Sequence, residues 1–258
     1  MRLLHQLFSS KSRRSAASQN RLSIDAWPSA IYAIGDVHGC LEQLIALENI
    51  ILADAGAPAG DKLIVSLGDY VDRGPNSAGV IEHMLRPLRS GFTRVLLAGN
   101  HEELMLDAIM GVRDDGWVRF GGIQTMLSYG IDIDLYRASG SRARQKLLAK
   151  HVPPEHVAFL EGLAVSLQVE QTVFVHAGIR RNIPIPDQHK NDLLWIRDEF
   201  LAAAPTDGLL VVHGHTPASE PEVAAGRIGI DTGAFATGRL SAVRLIPEAA
   251  PVFFTTGM

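Results

Sequence analysis

The chain has 258 residues, with 24 Lys+Arg against 28 Asp+Glu and a formal net charge of −4. At 47% hydrophobic and 6% aromatic residues it can bury a core without cross-links, and it is neither a disordered chain nor a basic binder of nucleic acid or anionic membrane. A single Cys excludes an internal disulfide framework and thiolate zinc modules, so ten His beside it leave nitrogen and oxygen as the available metal donors.

Residues 1–23 are basic, serine-rich and free of acid. Their apolar group, Leu3, Leu4, Leu7 and Phe8, is too short for a secretory signal. No stretch of the chain reaches the roughly 18 apolar residues of a membrane span. Residues 1–25 therefore read as a disordered basic tail, with the fold beginning near Ala26 and a cytoplasmic location following from the missing signal and the lone cysteine.

From Ile31 the pattern becomes regular. Ile31–Ile34 is a short apolar run stopped by Gly35, the mark of a buried strand. Leu41, Leu44, Leu47 and Ile51 step by three and four into a helix that Gly56 and Pro58 end. A second strand, Lys62–Leu67, stops at Gly68, and a helix over Ser77–Leu85 is closed by Pro87. A third strand, Thr93–Ala98, stops at Gly99 before a helix over Glu102–Met110. This alternation predicts parallel pairing through right-handed crossovers. Residues 111–163 break the rhythm and read as a helical insertion or cap, with helices over Gln145–Lys150 and Pro154–Leu160. Strands return at Thr172–Val175 and Leu209–Val212, and Arg227–Ile230 and Leu240–Leu245 form a more antiparallel closing set. Residues 26–258 then form a single α/β domain.

Five strands end in polar, glycine-flanked clusters: Gly35-Asp36-Val37-His38-Gly39, Gly68-Asp69-Tyr70-Val71-Asp72-Arg73-Gly74, Gly99-Asn100-His101-Glu102, His176-Ala177-Gly178 and Gly214-His215-Thr216. Any one of them could be a helix cap or a turn. Five at the ends of successive apolar strands deliver Asp, Asn and His side chains to the one sheet edge where α/β folds bind ligands. Converging carboxylates in a dry site require a cation. Imidazole and carboxylate donors without thiolate suit Mn²⁺, Fe or Zn²⁺, and six donors are enough for two metals about 3.5–4 Å apart sharing one Asp.

Taken together, these clusters resemble the complete ordered motif series of the calcineurin-like metallophosphoesterases, from about Ile31 to Gly233. The unbroken Gly68–Gly74 stretch is the form typical of the phosphoprotein phosphatase branch, with bacterial serine/threonine phosphatases as the nearest likeness. The resemblance implies a metallophosphoesterase β-sandwich of mixed sheets flanked by helices. It also implies roles. Asp36 and His38 hold a first metal, Asp69 bridges, and Asn100, His176 and His215 hold the second. Arg73 binds phosphate oxygens, with Asn100 beside the substrate and Arg197 as the candidate second arginine. His101 is the general acid and Asp72 orients it. The expected cofactors are two divalent transition metals, Mn²⁺ first. The expected reaction is hydrolysis of phosphomonoesters, foremost protein phosphoserine and phosphothreonine, by direct attack of metal-bound hydroxide.

The alternatives are symmetrical hydrolysis of diadenosine tetraphosphate and a broad-specificity phosphoesterase. The partner is then a phosphoprotein or a phosphorylated small molecule, with no nucleic acid and no membrane. A non-catalytic binding protein on the same fold predicts a lost ligand or a lost His101, and none is lost. Several residues read as bystanders. Cys40 is a small buried residue at a helix start. His213 is the end of a strand or a partner behind the ligands. Asp231-Thr232-Gly233 is a turn bordering the site, and Glu102 is a charge suited to a helix N-terminus. Trp117, Phe120 and Tyr129 read as core rings that could also stack on a base.

Overall fold

The computed structural model describes residues 20–257, apart from 55, 113–114 and 207. Two mixed sheets lie face to face between helical layers. The five-stranded sheet has the order β11-β10-β2-β3-β4. It comprises β2 (Ala30–Ile34), β3 (Lys62–Ser66), β4 (Phe92–Leu96), β10 (Ser241–Leu245) and β11 (Val252–Thr255). The six-stranded sheet has the order β1-β5-β6-β7-β9-β8. It comprises β1 (Arg21–Ile24), β5 (Ser166–Val169), β6 (Thr172–Val175), β7 (Leu210–His213), β8 (Glu222–Ala224) and β9 (Arg227–Gly229).

The pleat explains why the central strands are apolar throughout. In β2, Ile31 and Ala33 point into the core between the sheets with Leu63, Val65, Phe174 and Val212. Ala30, Tyr32 and Ile34 point the other way, into a core shared with the helices. A strand buried on both faces has no reason to alternate with polar residues. Helix α1 (Leu41–Leu52) covers that outer face through Leu44, Leu47 and Ile51. Helix α2 (Ser77–Leu85) starts where the Asn76 side chain accepts the Gly79 amide at 2.9 Å. Helix α3 (Asn100–Met110) ends at Gly111, whose φ of 71° is the left-handed cap that glycine adopts without a Cβ penalty.

The segment read as an insertion is helical: α4 (Asp115–Trp117), a π-helical turn over Val118–Gly122, α5 (Ile123–Ser128), α6 (Ile133–Ala138), α7 (Ser141–His151) and α8 (Pro154–Gly162). Its Trp117, Met126, Tyr136, Leu148 and Phe159 enter the same core as α1 and α2. The outer face of the six-stranded sheet is covered by α9 (Lys190–Trp195) and α10 (Asp198–Leu201), through Leu193, Ile196 and Phe200.

Three expectations are corrected. The tail does not extend to residue 25: Arg21–Ile24 is a strand that pairs in parallel with β5 and buries Ile24 between the sheets, while residues 1–19 lie outside the described region. Its four residues offer too short a pattern beside a basic run. The closing set is only partly antiparallel, because β9 pairs in parallel with β7 while β8 and β10 pair antiparallel. Strands β5, β8 and β11 add to the predicted set, each only three or four residues long.

Candidate active site

Strands β2, β3 and β4 run parallel with Ile34, Ser66 and Leu96 in register, and β6 and β7 run parallel in the facing sheet. Their carboxyl ends therefore open on one edge. All five clusters meet there, with Asp36, His38, Asp69, Asn100, His101, His176 and His215 buried. The backbone is bent to bring them in. Of eight described non-glycine residues with positive φ, five are His38, Asp69, Asp72, Arg73 and His215. Residues outside glycine persist in that region where the surroundings hold them, and such positions cluster at functional sites. Two glycines make the space: a Cβ on Gly99 would overlap Asp69 Oδ1, and one on Gly214 would overlap Asp36 Oδ1.

Asp69 is the hub. Its Oδ2 lies 3.3 Å from His38 Nε2 and 3.8 Å from His101 Nε2, and its Oδ1 lies 3.4 Å from His176 Nε2. Two donor groups share it, His38–Asp69–His101 and Asp69–His176–His215, each with ligand-type atoms within 4.8 Å of one another. His38 Nδ1 meets the Val71 carbonyl at 2.8 Å, and His176 Nδ1 meets the Leu67 carbonyl at 2.9 Å. Each Nδ1 therefore carries the proton, and each Nε2 presents a lone pair to the site. His176 Nε2 then faces Asn100 Oδ1 at 2.9 Å and His215 Nδ1 at 3.1 Å. Ligand-type atoms of Asp69, Asn100, His176 and His215 thus meet at one place, the donor set of a cation cradle. Burial pushes His38 and His176 well below the usual imidazole range and His215 down to about 3, with Arg197 adding to the last. All three are neutral and competent as ligands.

Asp36 sits beside these groups rather than inside either of them. Its carboxylate accepts the His215 amide at 3.1–3.2 Å. Burial, then Asp231 and Asp69, raise its pKa well above the carboxylate range, and burial raises that of Asp69. Clustered buried carboxylates of this kind are relieved by bound cations. The residues present therefore fit two divalent metals.

Beside them lies a buried His–Asp pair capped by an arginine. His101 Nδ1 stands 2.7 Å from Asp72 Oδ2, and its Nε2 lies 3.0 Å from Arg73 NH2. Arg73 NH1 reaches His38 Nε2 at 3.1 Å, so one guanidinium spans both imidazoles. Burial alone would lower the His101 pKa, but the Asp69 and Asp72 carboxylates outweigh it and raise it. Arg197 is exposed at the start of α10, near enough for its charge to disfavour protonation of His215.

Several working residues escaped sequence reasoning. Trp117 Nε1 and Thr125 Oγ1, both from the helical segment, donate to Asp72 Oδ1 at 2.9 and 2.7 Å. Glu102 is not simply a charge at a helix end. Its carboxylate accepts the amides of Gly99, Asp69, Tyr70 and Val71 at 2.8–3.2 Å and so braces the Asp69 loop. Phe235 lies under Arg73, 4.9 Å from its guanidinium carbon. The bystanders also take definite places. Cys40 is buried, and burial pushes its thiol up to about 11. His213 closes β7 against Phe200, outside both donor groups. Asp231 accepts the Gly233 amide at 2.9 Å and borders Asp36. Trp117 is a core ring, and Tyr129 bonds His156 through its hydroxyl, whereas Phe120 is exposed at the mouth of the site.

Comparison with known proteins agrees with this geometry. Residues 29–239 match the calcineurin-like phosphoesterase family. Serine/threonine-protein phosphatase 1 of Salmonella typhimurium is 28% identical over 227 residues, covering 83% of this chain and 91% of that protein. The asymmetrical bis(5'-nucleosyl)-tetraphosphatase PrpE of Anoxybacillus flavithermus is 25% identical, covering 85% and 91%. Among solved structures, a serine/threonine phosphatase from Saccharomyces cerevisiae superposes with a TM-score of 0.57 at 15% identity, covering 92% of this chain and 83% of that one.

Proposed function

The chain belongs to the calcineurin-like phosphoesterase family, and from that premise we propose that it is a dinuclear-metal phosphomonoesterase acting on phosphoserine and phosphothreonine in proteins. The observation that carries this reading is the meeting of the strand-end clusters on Asp69, whose oxygens lie 3.3 Å from His38 Nε2 and 3.4 Å from His176 Nε2, beside His101 held at 2.7 Å by Asp72. It sets two groups of metal-type donors next to a positioned imidazole and the Arg73 fork, the parts a metal-assisted displacement at phosphorus uses.

In this reading Asp36, His38 and Asp69 hold one cation, and Asp69, Asn100, His176 and His215 hold the other, with Mn²⁺ first and Fe or Zn²⁺ as substitutes. When bound, the two cations neutralise the carboxylates and lower the pKa of water so that hydroxide is available at neutral pH. The chain's own residues do the rest. Arg73 binds the non-bridging phosphate oxygens, and Asn100 and Arg197 flank the same group. As the bond between phosphorus and the leaving oxygen breaks, His101 Nε2 delivers its proton to that oxygen. Asp72 holds His101 Nδ1 and stabilises the imidazolium beforehand. The chain from β1 onward acts as one catalytic unit, with Cys40 buried, and a cytoplasmic setting fits the low cysteine content.

A second reading is supported by the relatives named bis(5'-nucleosyl)-tetraphosphatases. Those proteins are named for asymmetrical cleavage, whereas the sequence alone suggested the symmetrical reaction. A broad-specificity phosphoesterase is the remaining form. The deciding experiment strips the protein of metal, restores Mn²⁺, and compares phosphoserine and phosphothreonine peptides with diadenosine tetraphosphate. Higher kcat/KM on the peptides is expected, and faster turnover of the tetraphosphate would overturn the protein phosphatase reading.

A further inference from the structure

The helical segment carries a cleft of about 340 Å³ that the chemistry described above does not use. Ligand-binding pockets span roughly 300–1,000 Å³. Val118, Ile123, Met126 and Ile133 give the cleft apolar walls, and Arg119, Arg137 and Arg144 bring three guanidinium groups to it. Among the described residues its lining holds no acid, in a chain whose net charge is −4.

The three arginines differ in what holds them. Arg144 belongs to the frame: its Nε donates to the Tyr136 carbonyl at 3.0 Å, its NH2 donates to the Arg137 carbonyl at 3.2 Å, and its guanidinium carbon lies 5.1 Å from the centre of the Tyr136 ring. Arg119 and Arg137 are exposed, and among the described residues neither guanidinium meets an acid. Two such cations beside apolar walls are complementary to an anionic group with an apolar neighbour.

The cleft adjoins the catalytic mouth. Arg119 precedes Phe120 in the π-helical turn, and Phe120 stands edge-on to His101 at 6.2 Å between ring centroids. The Gly121 carbonyl of the same turn accepts the Arg73 amide at 3.2 Å, and a Cβ at Gly121 would overlap Arg73. The turn therefore rests on the phosphate-binding loop at one end and lines the cleft at the other. Its walls are held firmly, because Val118 follows Trp117 and Met126 follows Thr125, the two residues that donate to Asp72.

We propose that this cleft binds an acidic residue and its apolar neighbour in the phosphoprotein substrate, and so selects phosphorylated residues with acidic flanks. The inference rests on the phosphoserine and phosphothreonine reading made above. One turn of chain separates Arg119 from the loop that carries Arg73. An extended peptide covers about 3.3–3.6 Å per residue, which puts the acid about two to four residues from the phosphorylated one. Sharing that turn with the catalytic mouth favours a group tethered to the substrate over a separate small anion, which gains nothing from the adjacency.

The test uses the Mn²⁺-loaded enzyme and two phosphoserine peptides that differ only in their flanking residues, Glu with Leu in one and Lys with Leu in the other. The wild type is expected to favour the acidic peptide about tenfold in kcat/KM at low salt, through KM, and only about twofold at high salt. Combining Arg119→Glu with Arg137→Glu should bring the ratio to one or below, while Arg137→Lys, which keeps the charge, should keep most of it. Fluorescence anisotropy with labelled, unphosphorylated forms of both peptides should show the same order of affinity and the same loss in the double variant. Equal kcat/KM for the two phosphopeptides in the wild type, or an acidic preference unmoved by the double variant, overturns the proposal. Binding of the free Glu-Leu dipeptide as tight as that of the whole acidic peptide would make the occupant a separate small anion, and overturns it too. Failure of both phosphopeptides as substrates strikes the phosphomonoesterase reading, whereas equal anisotropy for the two unphosphorylated peptides strikes the cleft.

Discussion

Asp72 Oδ2 lies 2.7 Å from His101 Nδ1, and the same carboxylate is gripped from behind by Trp117 and Thr125 of the helical segment. The helices that interrupt the βα rhythm therefore fix the angle of the candidate general acid. General acid catalysis contributes about 10²–10⁴-fold. His101→Asn should lose activity in that range on alkyl phosphates, whose leaving oxygen needs the proton, and far less on p-nitrophenyl phosphate. Equal losses on the two substrates would argue against the assignment.

Asp69 offers one oxygen to His38 and the other to His176, so its charge serves both donor groups. Asp69→Asn keeps the shape and removes that charge. Calorimetric titration of the stripped variant with Mn²⁺ should show at least one of the two sites lost, and turnover should be abolished. Two intact sites in the variant would sink the shared-ligand arrangement.

Glu102 makes the Asp69 loop possible. Oε2 accepts the Asp69 and Gly99 amides, and Oε1 accepts those of Tyr70 and Val71. Glutamine can present an acceptor to only one of those pairs and turns an NH₂ donor toward the other. Burying unsatisfied donors costs about 1–3 kcal/mol each, so Glu102→Gln, which strands two amides, should destabilise the protein by about 2–6 kcal/mol in a denaturant melt. It should also weaken Mn²⁺ binding, although Glu102 is not among the proposed ligands.

Which parts of this site were legible in the sequence follows from the range of the interactions. Asp36, Asp69, Asn100, His176 and His215 each follow an apolar strand by one to four residues, within two residues of a glycine, and strand ends are local signals. Parallel pairing then brings the ends together without further information. Glu102, Trp117 and Thr125 carry no such mark. Glu102 acts on amides about thirty residues earlier, and Trp117 and Thr125 act on a carboxylate 45 and 53 residues away. Phe120 looked like any core ring, because exposure at a site mouth depends on where Gly121 breaks the turn. Strand β1 was lost to the tail because its pairing partner, β5, lies more than a hundred residues on.

Far from the catalytic edge, Glu48 of α1 is buried with two partners, His83 Nε2 at 2.6 Å and Arg94 NH2 at 2.6 Å. Burial by itself would raise the Glu48 pKa, but the His83 hydrogen bond and Arg94 outweigh it and hold it below the ordinary 4.5. A folded-state value below the unfolded one means that the group stabilises the fold fully above the unfolded value, and that this stabilisation fades as pH falls through the folded value. Removing one member of such a buried set leaves an uncompensated charge and costs about 3–5 kcal/mol. Glu48→Gln should therefore lower the melting temperature markedly at pH 7. The gap between variant and wild type, both melted without metal, should narrow as pH drops below 4.5. A gap that stays constant from pH 7 to pH 3 would mean that Glu48 contributes by packing and not by charge.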